Sequence, residues 1–338
     1  MPQSRVAPDS LLHGLEYGAT RDWGIGHISA DDVHNQATPN LGAGVTVAVL
    51  DSGIDCDHLE LPKDRCDYGQ GIGENFVANS TYEAANEADD DYGHGTHVAG
   101  TIGAALDGTS TTGVVGVAPG AKLVALKTLD SSGSGAWSRH IAAIEHVWNQ
   151  GTPLVNVVNM SIGRGDYSST AELAMQRAYD SGILLVAAAG NSGSCGGKGT
   201  NLAYPALFDS VIAVAAIDSS NARPCWSSTG DKVELTAPGV SVFSSWPADM
   251  STSYRDPQPI CENGICHYKY GSGTSMSSPH VAGAAALVIA SGISNVNGIH
   301  GVADEVRQRL SSTAVDLGSR DAIPSSGTGS STRLPRSG

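Results

Sequence analysis

The sequence predicts a three-layer α/β protein built on a predominantly parallel, twisted sheet with helices on both faces. Short runs rich in Val, Ile, Leu and Ala are nearly continuous in hydrophobicity, as strands buried on both faces must be. Each is followed by a stretch of helical spacing or by a Gly-rich turn, the rhythm of parallel α/β architecture. No repeat period and no Pro/Ser-rich linker interrupts the chain before about Gly318, so one domain is expected.

The first expected strand, Val45–Leu50, is almost wholly apolar and ends against Asp51. A helix is expected over His94–Leu106, then a strand over Leu123–Leu126. In the next helix, Ser138–Asn149, Ile141, Ile144, Val147 and Trp148 recur at three-to-four spacing and form a stripe for core packing. Strand Leu154–Met160, helix Thr170–Ser181 and strand Ile183–Ala189 continue the alternation, and strands Val211–Ala215 and Val233–Leu235 extend it. Helices Ser277–Ala290 and Val302–Ser312 complete it, with Pro279 in a first turn, where a missing N–H is tolerated. Residues 1–22 are weak in pattern and read as an extension or propeptide remnant, residues 23–318 as the folded domain, and residues 319–338 as a low-complexity tail.

Composition narrows the functional classes. With 40% hydrophobic residues in 338, the chain has material for a large core, and with only 16% charged residues it is not a disordered polymer. The 42 glycines suit tight turns and close backbone approaches. A net charge of -15, from 34 acidic against 19 basic residues, makes nucleic acid a poor partner. Asp-rich loops suit hard cations such as Ca2+, and an acidic solubilising coat is the other reading.

The six cysteines, Cys56, Cys66, Cys195, Cys225, Cys261 and Cys266, match no zinc spacing. Pairing Cys56 with Cys66 and Cys261 with Cys266 closes two short polar loops and leaves Cys195 with Cys225; buried thiols are the alternative. Disulfides imply an oxidising, extracellular setting. The segment Met1–Asp22 lacks a secretory profile, and no apolar run is long enough to span a membrane.

Three segments put reactive side chains where strands end or helices begin: Val-Ala-Val-Leu-Asp51-Ser-Gly, Gly-His94-Gly-Thr-His and Gly-Thr-Ser275-Met-Ser-Ser-Pro. A serine hydroxyl needs a base to take its proton and a third group to orient that base. Ser275, His94 and Asp51 fit those roles. In this order, and over about Gly44 to Leu310, the sequence resembles the subtilisin family of serine peptidases.

That resemblance implies a broad endopeptidase with a subtilisin-like fold, acting as a monomer. It implies Asn191, in Ala-Ala-Gly190-Asn191-Ser, as an oxyanion donor beside the Ser275 N–H. It further implies that Gly133, Ser134 and Gly135 on one side, and Ser161, Ile162 and Gly163 on the other, bind a polypeptide as an added β-strand. Ala188, Ala189, Gly190 and Ala203 match the walls and floor of the S1 pocket, and Trp137 and Ile162 match groups near S4. No carboxylate occurs there, so large apolar or aromatic residues are expected before the cleaved bond. Calcium is the implied structural cofactor, at Glu60 with Asp107, Thr112 and Val114 and at a weaker site with Asp209 and Glu234; no redox or organic cofactor is implied. Relatives are made with an inhibitory prodomain, which this chain does not resemble.

Other readings are weaker. His94-Gly-Thr-His97 has a spacing for zinc but no third ligand motif, and Gly273-Thr-Ser275-Met-Ser277 lacks the last glycine of the lipase elbow. Asp89, Asp90 and Asp91 are a further cation-site candidate or an acidic loop, and they leave open a narrow processing peptidase. A non-catalytic peptide binder would need a broken triad or oxyanion position, and none is broken.

Overall fold

In chain order the elements are α1 (Trp23–His27), α2 (Ala30–His34), β1 (Thr46–Asp51), β2 (Cys66–Asp67), β3 (Glu74–Asn75), α3 (His94–Gly103), β4 (Lys122–Lys127), α4 (Trp137–Trp148) and β5 (Val157–Met160). They continue with α5 (Ser169–Asp180), β6 (Leu184–Ala188), β7 (Val211–Ile217), β8 (Val233–Pro238), β9 (Val242–Ser245), β10 (Ile260–Glu262), β11 (Ile265–Gly271), α6 (Thr274–Ala290), α7 (Ala303–Thr313), β12 (Ala314–Asp316) and β13 (Thr332–Pro335). The computed structural model describes residues 22–77, 87–106, 113–197, 199–247, 260–262, 265–296, 298, 300–317 and 332–335.

Among the described residues the main sheet runs β12-β13-β8-β7-β6-β5-β1-β4-β2, and β3 also pairs with β4. All pairings from β2 to β8 are parallel. Val47, Ala48, Val49 and Leu50 of β1 have no exposed surface, and neither do Leu184 to Ala187 of β6. Such strands lack a polar face because helices cover both sides of the sheet, which is the expected three-layer architecture. All six strands and five helices expected from the apolar runs form, with shifted ends.

The order places β1 between β4 and β5, so the chain steps to one side of β1 and then returns to the other. Beyond the carboxyl ends of strands at such a reversal a crevice opens where ligands bind. Asp51 is the last residue of β1. Helix α6 packs across β5, β6, β7 and β8 and against α3 and α7. It is apolar all round, and Thr274, Met276 to Gly283 and Ala285 to Leu287 are buried.

Three features depart from the sequence reading. The helices α1 and α2 are too short to display a hydrophobic period. A second, antiparallel sheet, β10-β11-β9, packs on α3 through polar residues that the hydrophobic pattern did not mark. There, Ser244 Oγ donates to the His97 carbonyl oxygen at 2.7 Å. Finally, Thr332–Pro335, inside the expected tail, adds to β8 as a parallel strand. It lies between β8 and the edge strand β12, joined to both by backbone pairing, which does not require a hydrophobic period.

Asp22, placed by sequence in the N-terminal extension, belongs to the folded body. Its carboxylate accepts from Gly24 N at 2.8 Å and from Phe243 N at 2.9 Å. Burial, partly offset by those bonds, pushes its pKa up to about 6. Two expected disulfides form, Cys56–Cys66 and Cys195–Cys225. Cys261 and Cys266 are register partners in the β10-β11 hairpin, and their side chains lie outside the described ones.

Candidate active site

Strand β1 delivers Asp51, fully buried, to the crevice. Its Oδ1 accepts from Ser52 N at 2.8 Å and holds His94 Nδ1 at 2.8 Å. His94 is the first residue of α3, and Gly93 before it takes a left-handed φ of 93°. A side chain on Gly93 would enter the Trp246 ring, and one on Gly95 would strike the Gly53 carbonyl. The glycines on both sides of His94 are therefore required for this approach. Burial alone would lower the His94 pKa, but the Asp51 charge and hydrogen bond outweigh it and hold the imidazole above its ordinary range.

Two residues of the acidic run, Asp90 and Asp91, are engaged by protein donors. Asp90 Oδ1 accepts from Ser52 Oγ and from Gly93 N, each at 2.8 Å, while Oδ2 accepts from Thr96 N at 2.8 Å and Thr96 Oγ1 at 2.7 Å. It thus satisfies the start of α3 and fixes the helix to β1. Asp91 pairs with Lys127, whose ammonium also donates to the Ser52 carbonyl oxygen. Lys127 has no exposed surface and is the register partner of Asp51. The sequence reading missed both roles, although a lysine closing an apolar strand was a visible signal.

Ser275 is the second residue of α6, and its hydroxyl donates to the Ser161 carbonyl oxygen at 3.2 Å. Asn191 Oδ1 accepts from Thr274 N at 2.9 Å and from Thr274 Oγ1 at 3.0 Å. That anchoring directs the amide nitrogen elsewhere. A Cβ on Gly273 would stand 3.4 Å from Asn191 Nδ2 and 3.7 Å from Ser275 N, so the two donors border one space. The helix N-terminus adds its dipole to them. Ser161 Oγ ties the end of β5 to α6 by donating to the Ser275 carbonyl oxygen at 2.8 Å and meeting Ser278 Oγ at 2.9 Å.

Both expected strand-binding segments line a single cleft of about 500 Å³, with Gly133, Ser134 and Gly135 facing Ser161, Ile162 and Gly163. Next to it, Ala188, Gly190, Asn191 and Ala203 line a pocket of about 360 Å³ that Ser275 also borders. The Ala203 methyl lies 3.1 Å from where a Cβ on Gly163 would stand and 3.3 Å from one on Gly190, so it narrows this pocket. Ala189 is a correction: it is fully buried, donating to Val214 O and accepting from Ala203 N, both at 2.9 Å. It supports the pocket wall from behind. Trp137 does not line the cleft itself; its indole N–H donates to Asp166 O at 3.2 Å and its ring lies under the guanidinium of Arg164, which does.

The metal candidates separate. His97 is buried, with Nε2 between Lys269 O at 3.1 Å and Val242 O at 3.2 Å, and burial followed by the nearby His94 lowers its pKa to about 3. Among the described residues no group of three His, Cys, Asp or Glu is arranged for a metal. Asp209 and Glu234 surround protein cations. Arg307 Nε donates to Glu234 at 2.9 Å and Nη1 to the Asp209 carbonyl at 2.9 Å, while Lys232 pairs with the Asp209 carboxylate. The weaker calcium site inferred from sequence is therefore filled by Arg307 and Lys232. Glu60 is buried, accepts from Tyr268 Oη at 2.7 Å, and receives Ala105 N on its backbone oxygen at 2.9 Å. Val114 is buried, while Asp107 and Thr112 lie outside the described residues.

Comparison with known proteins bears on the family of the chain. A family model described as "Subtilase family" matches residues 42–330. Subtilisin DY of Bacillus licheniformis is 45% identical over 299 residues, which are 88% of this chain and 93% of that protein. Subtilisin E of Bacillus subtilis is 40% identical over 313 residues, 93% of this chain and 70% of its own. Subtilisin Savinase of Lederbergia lenta is 38% identical over 297 residues, 88% of this chain and 92% of its own.

Proposed function

The chain belongs to the subtilase family and is a serine endopeptidase, and we propose that it cleaves peptide bonds through an acyl-enzyme on Ser275. The observation that carries this reading is the His94 Nδ1 to Asp51 Oδ1 bond of 2.8 Å, with His94 and Ser275 lining one pocket. In this reading the Ser275 hydroxyl leaves the Ser161 carbonyl oxygen and donates to His94 Nε2 instead. His94 then takes the hydroxyl proton while Oγ attacks the scissile carbonyl carbon. Asn191 Nδ2 and Ser275 N donate to the oxyanion that develops. Collapse expels the amine, which takes the proton from His94, and a water activated by the same imidazole releases the acid. Asp51 keeps Nδ1 protonated throughout.

Substrate chains enter as an added strand between residues 133–135 and 161–163, so affinity comes from backbone pairing and selection from pockets. The residues lining the pocket beside Ser275 include no carboxylate, which favours large apolar residues before the cleaved bond over Arg or Lys.

Calcium is the structural cofactor of this reading. Glu60 offers a buried carboxylate, and its backbone bond to Ala105 holds the beginning of the loop that carries Asp107 and Thr112. A carboxylate with loop oxygens suits Ca2+ by chemistry. When bound, the ion would tie that loop to the body. Two disulfides favour oxidising surroundings, and among the described residues no helix is long and apolar enough to cross a membrane. We assign the protein to the extracellular space as a monomer, on its membership of the family.

The test is the mass of the protein after treatment with a serine-directed fluorophosphonate, with casein hydrolysis followed in parallel. One adduct on the wild type, none on Ser275→Ala and matching loss of casein cleavage are expected. An adduct on Ser275→Ala, or none on the folded wild type, overturns the assignment.

A further inference from the structure

Arg164 places a cation in the cleft where substrate enters. Its backbone is fixed by a reciprocal pair with Tyr204, N–H to carbonyl at 2.8 Å in both directions. Its guanidinium stands over the Trp137 ring, 5.6 Å from the centroid. Nε and Nη2 reach the two oxygens of Asp166 at 3.0 and 3.3 Å, and Nη1 donates to the Gly135 carbonyl oxygen. Gly135 belongs to one wall of the strand slot, and Arg164 follows Gly163 on the other. The side chain therefore latches the slot from wall to wall.

We propose that Arg164 is a specificity-determining residue that selects substrates carrying Asp or Glu three or four residues before the cleaved bond. The inference rests on the reading of Ser275 as nucleophile and of this slot as the strand site. A substrate strand pairing with the 133–135 wall competes for the Gly135 oxygen, and Nη1 then needs another acceptor. A substrate carboxylate supplies one as a charge-assisted bond, whereas an ammonium at the same place meets a second cation. The position follows from strand geometry. Ser161 touches the Ser275 hydroxyl, and Arg164 is three residues farther on. At about 3.3 Å per residue, that is roughly 10 Å from the nucleophile.

The whole-molecule charge acts in the opposite direction. A net charge of -15 attracts cationic peptides at long range, so a preference for an acidic side chain must come from a local contact. Asp166 already neutralises part of the guanidinium, and with a side chain 57% exposed it leaves the pair open to screening. The effect is therefore of moderate size.

The experiment uses fluorogenic peptides with Phe before the cleaved bond, differing only by Glu, Gln or Lys at the third or the fourth position before it, at constant ionic strength. The wild type is expected to favour Glu over Lys by about tenfold in kcat/KM at one of these positions, with Gln between. R164Q should bring that ratio within about twofold. D166N, which keeps the guanidinium and removes its internal counter-ion, should raise the ratio. Equal rates for Glu and Lys in the wild type, or a Glu preference that survives in R164Q, would overturn the proposal. Absence of cleavage of every peptide, together with no fluorophosphonate adduct, would instead overturn the Ser275 reading and this inference with it.

Discussion

The carboxylate of Asp51 binds His94 through one oxygen only, while Oδ2 is buried without a hydrogen-bond partner among the described residues. Few donors other than Ser52 N disperse its charge, so that charge acts on the imidazole. The folded pKa of His94 is consequently above the ordinary 6.5. Because only neutral His94 accepts a proton, kcat/KM should fall with acid along a limb centred above 6.5. Its contribution to stability has the opposite sense, being complete below the unfolded pKa and lost as pH rises through the raised value. Asp51→Asn should move the acid limb downward and lower kcat by about 10⁴-fold, the scale for a triad with its imidazole in the wrong tautomer. An unmoved limb in that variant's pH profile would refute the coupling.

Asn191 has two duties, donating toward the oxyanion and fixing Thr274 through Oδ1. Asn191→Ala should lower kcat by roughly 10² to 10³ with KM little changed, a magnitude known from removing this donor in a relative of this family. Thr274→Ala keeps the donor and loosens its anchor, so its loss should be about tenfold. Steady-state kinetics on one peptide separate the two, and equal losses would mean that anchoring alone matters.

Ala203 limits the pocket by one methyl group facing Gly163 and Gly190. Removing it in Ala203→Gly should raise kcat/KM for Phe and Tyr relative to Ala before the cleaved bond by severalfold, since one methylene in a pocket is worth about 1 to 3 kcal/mol. An unchanged Phe to Ala ratio on matched nitroanilides would place the selecting surface elsewhere.

Calcium binding only the folded state stabilises it by about 2.7 kcal/mol at one hundred times Kd. For a chain of this size that is several degrees of Tm. Excess EGTA should therefore lower the melting temperature, and Glu60→Gln should remove most of the difference between calcium and EGTA. Coincident melting curves for the wild type in both buffers would dismiss the ion.

Lys127 and Asp91 form an ion pair whose side chains are 0% and 5% exposed. Deleting one partner leaves a buried charge, so Lys127→Met should cost about 3 to 5 kcal/mol, and adding Asp91→Asn should recover part of it. Denaturant unfolding of the single and double variants measures this. A double variant no more stable than the single one would show that packing, not charge, is at stake.

The sheet and its covering helices were legible because strands buried on both faces leave continuous apolar runs, and the triad was legible because each member closes or opens such an element. Asp90 and Lys127 were not, since a buried polar group looks like a surface one until its partners, from residues distant in sequence, are known. Arg164 was hidden for a related reason: Gly135 and Trp137, on which its guanidinium rests, come from a distant segment of the chain. The Asp209–Glu234 pair misled because carboxylates look alike in sequence whether they hold a metal ion or, as here, Lys232 and Arg307.

Helix α6 is surrounded by protein along most of its length, and Ser275 stands at its beginning. The amides of its buried middle, Met276 to Gly283, are shielded by packing, so deuterium should enter them mainly when the whole molecule opens. A peptidase built this way does not lose its nucleophile through fraying. Self-digestion must begin at peripheral chain, and molecules nicked there keep a working centre until the sheet itself comes apart.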